Sequence, residues 1–269
     1  MKKLVSLIAF SALTMTAALS YAGSGAATGI NGSMHDINSL SAYTQDQADR
    51  TCAFCHTPHN AQSDATLLNP LWNHKPSNIA LDPYTWKAPA NTGIAFAGDP
   101  LIGPSRLCEA CHDGITAPDA HGAAMGFAGS GPMTASYSDA LGNLAKRYIN
   151  DLAVTHPIGF LYQNAYAARG ASELVDASTS SFYVAGVPYG VAAAGFDTTV
   201  RPIPGATTGK ALKEVLYGGG DDGTGYVTCA SCHDVHNTKN AKPAAGHSYN
   251  YFVWGQEEGS AICLSCHIK

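Results

Sequence analysis

The sequence predicts a mostly irregular, loop-rich chain with short α-helices and few β-strands, whose core comes from bound cofactors rather than packed secondary structure. Three observations carry this expectation. The 269 residues include 28 Gly and 14 Pro but only 13% charged residues, so turn chemistry interrupts any long helix or wide sheet. All eight cysteines fall in four Cys-x-x-Cys-His motifs: Cys52/Cys55/His56, Cys108/Cys111/His112, Cys229/Cys232/His233 and Cys263/Cys266/His267. In such a motif two thiols add to the vinyl groups on one haem edge, and the adjacent imidazole ligates the iron. Four covalent haem c groups would then supply the buried apolar area that a loop-rich chain needs to offset its ordering entropy. Stacked haems are therefore the expected core.

Other uses of paired cysteines explain less. With 11 His in 269 residues, chance places His after all four pairs with odds of about 3 in a million. Zinc ribbons share the Cys-x-x-Cys spacing but do not require a His next to it. A disulfide framework leaves the histidines unexplained.

Residues 1–22 read as a signal peptide. Lys2 and Lys3 form the positive start, residues 4–19 the apolar stretch, and Ser20-Tyr21-Ala22 the cleavage site before Gly23. No later stretch approaches the ~18 apolar residues of a transmembrane helix. Residues 23–269 are expected to form one exported tetrahaem domain without an integral membrane segment, at the cell surface or beyond it, or else in the periplasm. Loss of Lys2 and Lys3 takes the formal charge from −5 to −7, and ionised haem propionates would add roughly −8. That balance disfavours nucleic acid and suits cationic redox proteins or ferric ions.

In chain order, His35 comes 17 residues before Cys52, far enough for the chain to loop round to a haem's far face. Met34 beside it is the less favoured ligand. His59 and His236 each follow a motif histidine by three residues, in His-x-x-His-Asn. Neither leaves its local turn far enough to reach the opposite face of its own haem, so each serves another haem or none. The segment 61–107 carries Trp72, His74 and Trp86 among several prolines and reads as a wrapping loop, with His74 in reserve as a ligand. Between the second and third motifs lie 116 residues without cysteine. There His121 is a weak candidate, and the apolar spacing over 138–152 predicts an amphipathic helix. His156 precedes a proline, which favours extended backbone and a ring projecting away from the chain. Residues 181–200 suggest a hairpin, the Gly-rich run 218–223 a turn into a strand at 226–228, and His247 is a second reserve ligand.

The segments Gly-Ser-Met-His-Asp-Ile (32–37), Cys-Ala-Phe-Cys-His-Thr-Pro-His-Asn (52–60), Thr-His-Pro-Ile-Gly-Phe (155–160), Cys-Ala-Ser-Cys-His-Asp-Val-His-Asn (229–237) and Gly-Ser-Ala-Ile-Cys-Leu-Ser-Cys-His (259–267) resemble multihaem c-type cytochromes with doubled motifs. More narrowly, the chain resembles the outer-surface tetrahaem cytochromes of metal-respiring bacteria, some of which polymerise into extracellular wires. The resemblance implies irons ligated by two histidines, with His35 serving the first haem and His156 the second. It leaves His59 and His236 to the third and fourth in an unfixed order. It also implies that His59 crosses to a neighbouring copy.

Seven histidines outside the motifs are enough to make all four irons six-coordinate. Paired imidazoles lack the Met ligand that raises a haem's potential, so low-potential carriers are expected, and no catalytic residue is assigned. The leading reading is an electron-transfer protein, not an enzyme, polymerising with other copies of itself into a conductive filament. Other cytochromes and extracellular metal oxides are the expected redox partners. The alternatives are a monomeric shuttle and, less favoured, a terminal reductase of metal or nitrogen oxides.

Overall fold

The computed structural model describes residues 29–31, 33–62, 71–74, 77, 79–81, 94, 98–122, 129, 131–132, 136–138, 144–146, 148–149, 151–178, 212–219, 223–237, 252–254 and 261–268. In chain order their elements are α1 (Pro104–His112), β1 (Ser136–Ser138), β2 (Leu144–Lys146), β3 (Phe160–Leu161), α2 (Tyr162–Arg169), α3 (Leu212–Val215), β4 (Tyr226–Val227), α4 (Cys229–Cys232) and α5 (Ala261–Leu264). Short 3-10 turns span Ile37–Ser39, Thr51–Phe54 and Leu152–Val154.

Local chemistry sets these boundaries. Before α1, Gly103 adopts a φ of 56° where a Cβ would run into the Tyr217 ring, and Pro104 takes the first helical position, where a missing N–H costs nothing. At α2, Gly170 stops the helix and its N–H donates to Tyr166 O at 2.7 Å. β3 and β4 pair antiparallel, Phe160 opposite Val227 and Leu161 opposite Tyr226. The strand at 226–228 expected from the sequence thus appears as β4, and it leads directly into α4.

The helix expected over 138–152 does not form. Instead β1 and β2 pair antiparallel, with Ser136 opposite Lys146 and Ser138 opposite Leu144, and Leu152 opens a 3-10 turn capped by Asp151. Gly142 and Asn143 lie between the two strands; they are weak helix formers and favoured hairpin residues, so the apolar spacing was not decisive. The signal peptide at 1–22, the suggested hairpin at 181–200, Trp86 and His247 lie outside the described residues.

Protein-only packing is concentrated around the second half of the chain. One cluster gathers Phe160, Tyr162, Leu174, Leu212, Val215, Leu216, Val227 and Trp254, with Ile262 and Cys266 against it. A smaller one joins Leu81, Leu101 and Leu152. The Tyr162 hydroxyl donates to Val175 O at 2.8 Å, with Cys266 O at 3.2 Å, while Val175 N donates to Cys266 O at 3.0 Å. These bonds pin the fourth motif to the strand-and-helix cluster. Among the described residues, no helix is long and apolar enough to cross a membrane.

Candidate metal centres

Each motif folds as a single tight turn, which is why its spacing works. His56 N donates to Cys52 O at 2.8 Å, His233 N to Cys229 O at 3.0 Å and His267 N to Cys263 O at 2.9 Å. The second motif makes the same turn as the end of α1. Such a turn gathers both sulfurs on one side and projects the imidazole from the next residue. No disulfide joins the eight thiols.

Three of the motif histidines stand across from a histidine outside the motifs. The ring centroids of His35 and His112 are 6.1 Å apart, those of His56 and His236 6.1 Å, and those of His156 and His267 6.3 Å. A metal–imidazole bond is about 2 Å and the ring centre lies roughly 1 Å beyond the nitrogen, so an iron between two imidazoles sets their centroids about 6 Å apart. All three pairs meet that separation, and face-to-face stacking would need a shorter one. The residues fit a haem iron held from both faces. The ring planes differ, at 67° for His35/His112, 72° for His156/His267 and 17° for His56/His236.

The outer histidines are oriented for this task. His35 Nδ1 meets Val235 O at 3.4 Å and His156 Nδ1 meets Pro157 O at 2.9 Å. Engaging Nδ1 on a backbone carbonyl leaves Nε2 for a metal. Burial, and then the neighbouring His112, pushes His35 down to about 4, which keeps it neutral and able to ligate. Phe252 stacks on His35 at 4.6 Å with planes 4° apart. No spacing in the sequence pointed to Phe252, because its approach depends on Asp234 N donating to Phe252 O at 2.6 Å from a distant segment.

The pairing differs from the one the resemblance implied. His35 faces His112 of the second motif rather than His56 of the first, and His156 faces His267 of the fourth rather than His112 of the second. His236 takes the position opposite His56. The cause is how segments cross. The segment 71–74 pairs with the first motif through Thr57 N to Leu71 O (2.8 Å) and Asn73 N to Cys55 O (2.9 Å). The bridge between Leu174 and His267 brings the fourth motif against the cluster around β3, which begins four residues after His156.

The remaining candidates are placed otherwise. His74 is buried beside Trp72, its Nε2 3.8 Å from Cys111 Sγ and its Nδ1 without a hydrogen-bond partner. Burial, then His121, pushes it down to about 4. His121 packs edge-on to Phe54 and its Nδ1 meets Asp119 O at 2.7 Å. His59 is exposed, and among the described residues its ring has no hydrogen bond or ring contact. Both His-x-x-His-Asn turns end on an Asn in the left-handed region, Asn60 at φ 57° and Asn237 at φ 51°, a conformation Asn tolerates better than most residues.

The motifs also approach one another. The Cys108 and Cys229 thiols are hydrogen-bonded where α1 packs on α4, and Cys229 N donates to Ser105 Oγ at 3.1 Å. Cys55 lies near Cys111, and Cys232 near Cys263 and Cys266. Burial, then Cys52, pushes the Cys55 thiol up to about 11; burial, then Cys229 and Cys263, pushes Cys232 up to about 12. Among the described residues no group of three or more His, Cys, Asp or Glu is arranged for a bare metal ion.

Residues 223–269 match the family described as the doubled CXXCH motif. No curated protein matches the chain. The match spans the third and fourth motifs and the segment between them, and the same chemistry repeats in the first two. The motifs imply covalently bound haem c, and the doubled motif points to a multihaem c-type cytochrome involved in electron transfer.

Proposed function

We propose that this exported chain is a tetrahaem conductor whose copies join end to end into an extracellular filament, with His59 of one copy ligating a haem iron of the next. One observation carries the reading. Three of the histidines outside the motifs stand across from motif histidines at iron-spanning separations, whereas His59, in the same His-x-x-His-Asn pattern as His236, is exposed.

Bound haem supplies reversible one-electron chemistry at iron. The chain's own residues do the rest. Cysteine thioethers fix each group, paired neutral imidazoles hold both faces and leave no position for substrate, and the α1–α4 contact sets the second and third groups side by side. Imidazole pairs without methionine favour low potentials, which suits electron export to metal oxides or other cytochromes.

Electron microscopy of the native haem-loaded protein tests the reading. Ordered filaments with a regular subunit repeat are expected, and His59→Ala should abolish them while mass spectrometry still finds four haems, because thioether attachment does not depend on the distal ligand. Normal filaments from the variant would refute the crossing ligand. Discrete native particles at every concentration would identify a monomeric shuttle, and high-spin ferric signals in the native protein a reductase with an open haem.

A further inference from the structure

Glu109 sits inside the second motif, in Cys108-Glu109-Ala110-Cys111-His112, at the joint where α1 packs on α4. It is 1% exposed, and its Oε2 has no hydrogen-bond partner among the described residues. A buried carboxyl with an unsatisfied oxygen is costly when ionised and tolerable when protonated. Burial is the main cause that raises its pKa to about 8, with Cys229 across the joint and Asp113 on its own helix adding and Arg106 opposing. Arg106 is otherwise engaged, by both oxygens of Asp99 and by the carbonyls of Ser77 and Ile79. Asp113 is likewise committed, accepting from Ser77 Oγ, Ile115 N and Thr116 N. In the loaded protein Cys229 is a thioether and its charge disappears, whereas the burial remains.

We propose that Glu109 is the proton acceptor that couples reduction of the haems on Cys108/Cys111 and Cys229/Cys232 to proton uptake. This rests on those two motifs carrying haem. With haem bound at these motifs, an electron from a donor cytochrome would reduce one iron from ferric to ferrous and leave the joint one charge more negative. The Glu109 carboxylate then takes one proton from water and becomes the neutral acid; oxidation returns the proton. Reduction raises the affinity of Glu109 for its proton. The midpoint potential therefore falls with rising pH only in the window between the carboxyl's oxidised-state and reduced-state values, both held above the ordinary carboxylate range by burial.

The test is a spectroelectrochemical titration of the native protein and of Glu109→Gln, which keeps size and polarity but does not ionise, at a series of pH values from about 6 to about 10. The native protein should show a potential that falls with pH over part of that range, above the ordinary carboxylate values, and a carboxylic-acid carbonyl band that appears in the reduced-minus-oxidised infrared difference spectrum. Both should be lost in the variant. A slope and band that persist in Glu109→Gln would assign the proton to haem propionates and overturn the proposal. Should the variant fail to take up haem, native proton uptake is read with a pH indicator during photoreduction by a flavin near pH 8, and no uptake overturns it. Mass spectrometry of the native protein separates the failures. Absence of haem from the second or third motif removes the underlying reading as well, whereas intact haems with no pH-dependent step remove this one alone.

Discussion

Replacing His35 and His236 by alanine, singly and together, tests the iron pairing directly. The ring of His35 lies 6.1 Å from that of His112, and the ring of His236 lies 6.1 Å from that of His56, so under the proposed ligation the two serve different irons. Each single variant should replace one imidazole by water and turn one of four low-spin ferric haems high-spin, about a quarter of the total iron. The double variant should turn about half. Were both histidines candidates for the same iron, the double variant would match a single one. The ring planes identify which haem changed. Near-parallel planes, as at 17° for His56/His236, split the iron dxz and dyz orbitals and give a rhombic low-spin signal in electron paramagnetic resonance. Near-perpendicular planes, as at 67° for His35/His112, leave these orbitals close in energy and give a broad, strongly anisotropic signal. His236→Ala should therefore erase the rhombic species, and His35→Ala one of the anisotropic ones. Loss of the rhombic species in His35→Ala, or a double variant with only one high-spin haem, would refute the pairing.

Two further outcomes follow from burial and hydrogen bonding. Tyr162→Phe removes the hydroxyl that donates to Val175 O and approaches Cys266 O in a buried setting; chemical denaturation of the haem-loaded protein should show a loss of about 1 kcal/mol. A variant as stable as the native chain would mean that this bond does not tie the fourth motif to the fold. His74→Leu should leave all four haems low-spin, since His74 packs against Trp72 and Cys111 and its Nδ1 is already unsatisfied. A new high-spin haem in that variant would make His74 a ligand.

The site was legible in the sequence wherever its chemistry is local. The Cys-x-x-Cys-His turn is dictated by spacing, and the same turn recurs around Cys52, Cys229 and Cys263 with the histidine N–H on the first cysteine's carbonyl. Three residues of separation also set His236 apart from its own motif histidine, and its ring faces His56 instead. What spacing did not give was which motif histidine each outer histidine faces. His35 lies close to the first motif in sequence yet faces His112, because that choice depends on strand-like contacts such as His56 with Trp72 and Leu174 with His267. Such contacts join segments far apart in the chain and leave no periodic trace. The stretch over 138–152 failed for the complementary reason. Its apolar positions fit a helix, but the residues between them fit a hairpin, and in a chain this rich in glycine the turn residues prevailed.

The two His-x-x-His-Asn segments isolate what tertiary context adds. Their turns are alike down to the left-handed asparagine. Asn237, however, is fully buried; it donates to Gly29 O at 3.1 Å and accepts from Gly29 N at 3.0 Å, which clamps the start of the described chain over the third motif. His236, one residue earlier, is thereby fixed with its ring toward His56. Asn60 is exposed, and no comparable clamp holds His59 inward among the described residues. The shared His-x-x-His-Asn pattern thus holds one histidine against another motif within the subunit and leaves the other exposed. Restoring an equivalent clamp at Asn60 would turn His59 inward, and under the filament proposal it would shorten the polymer without touching any haem.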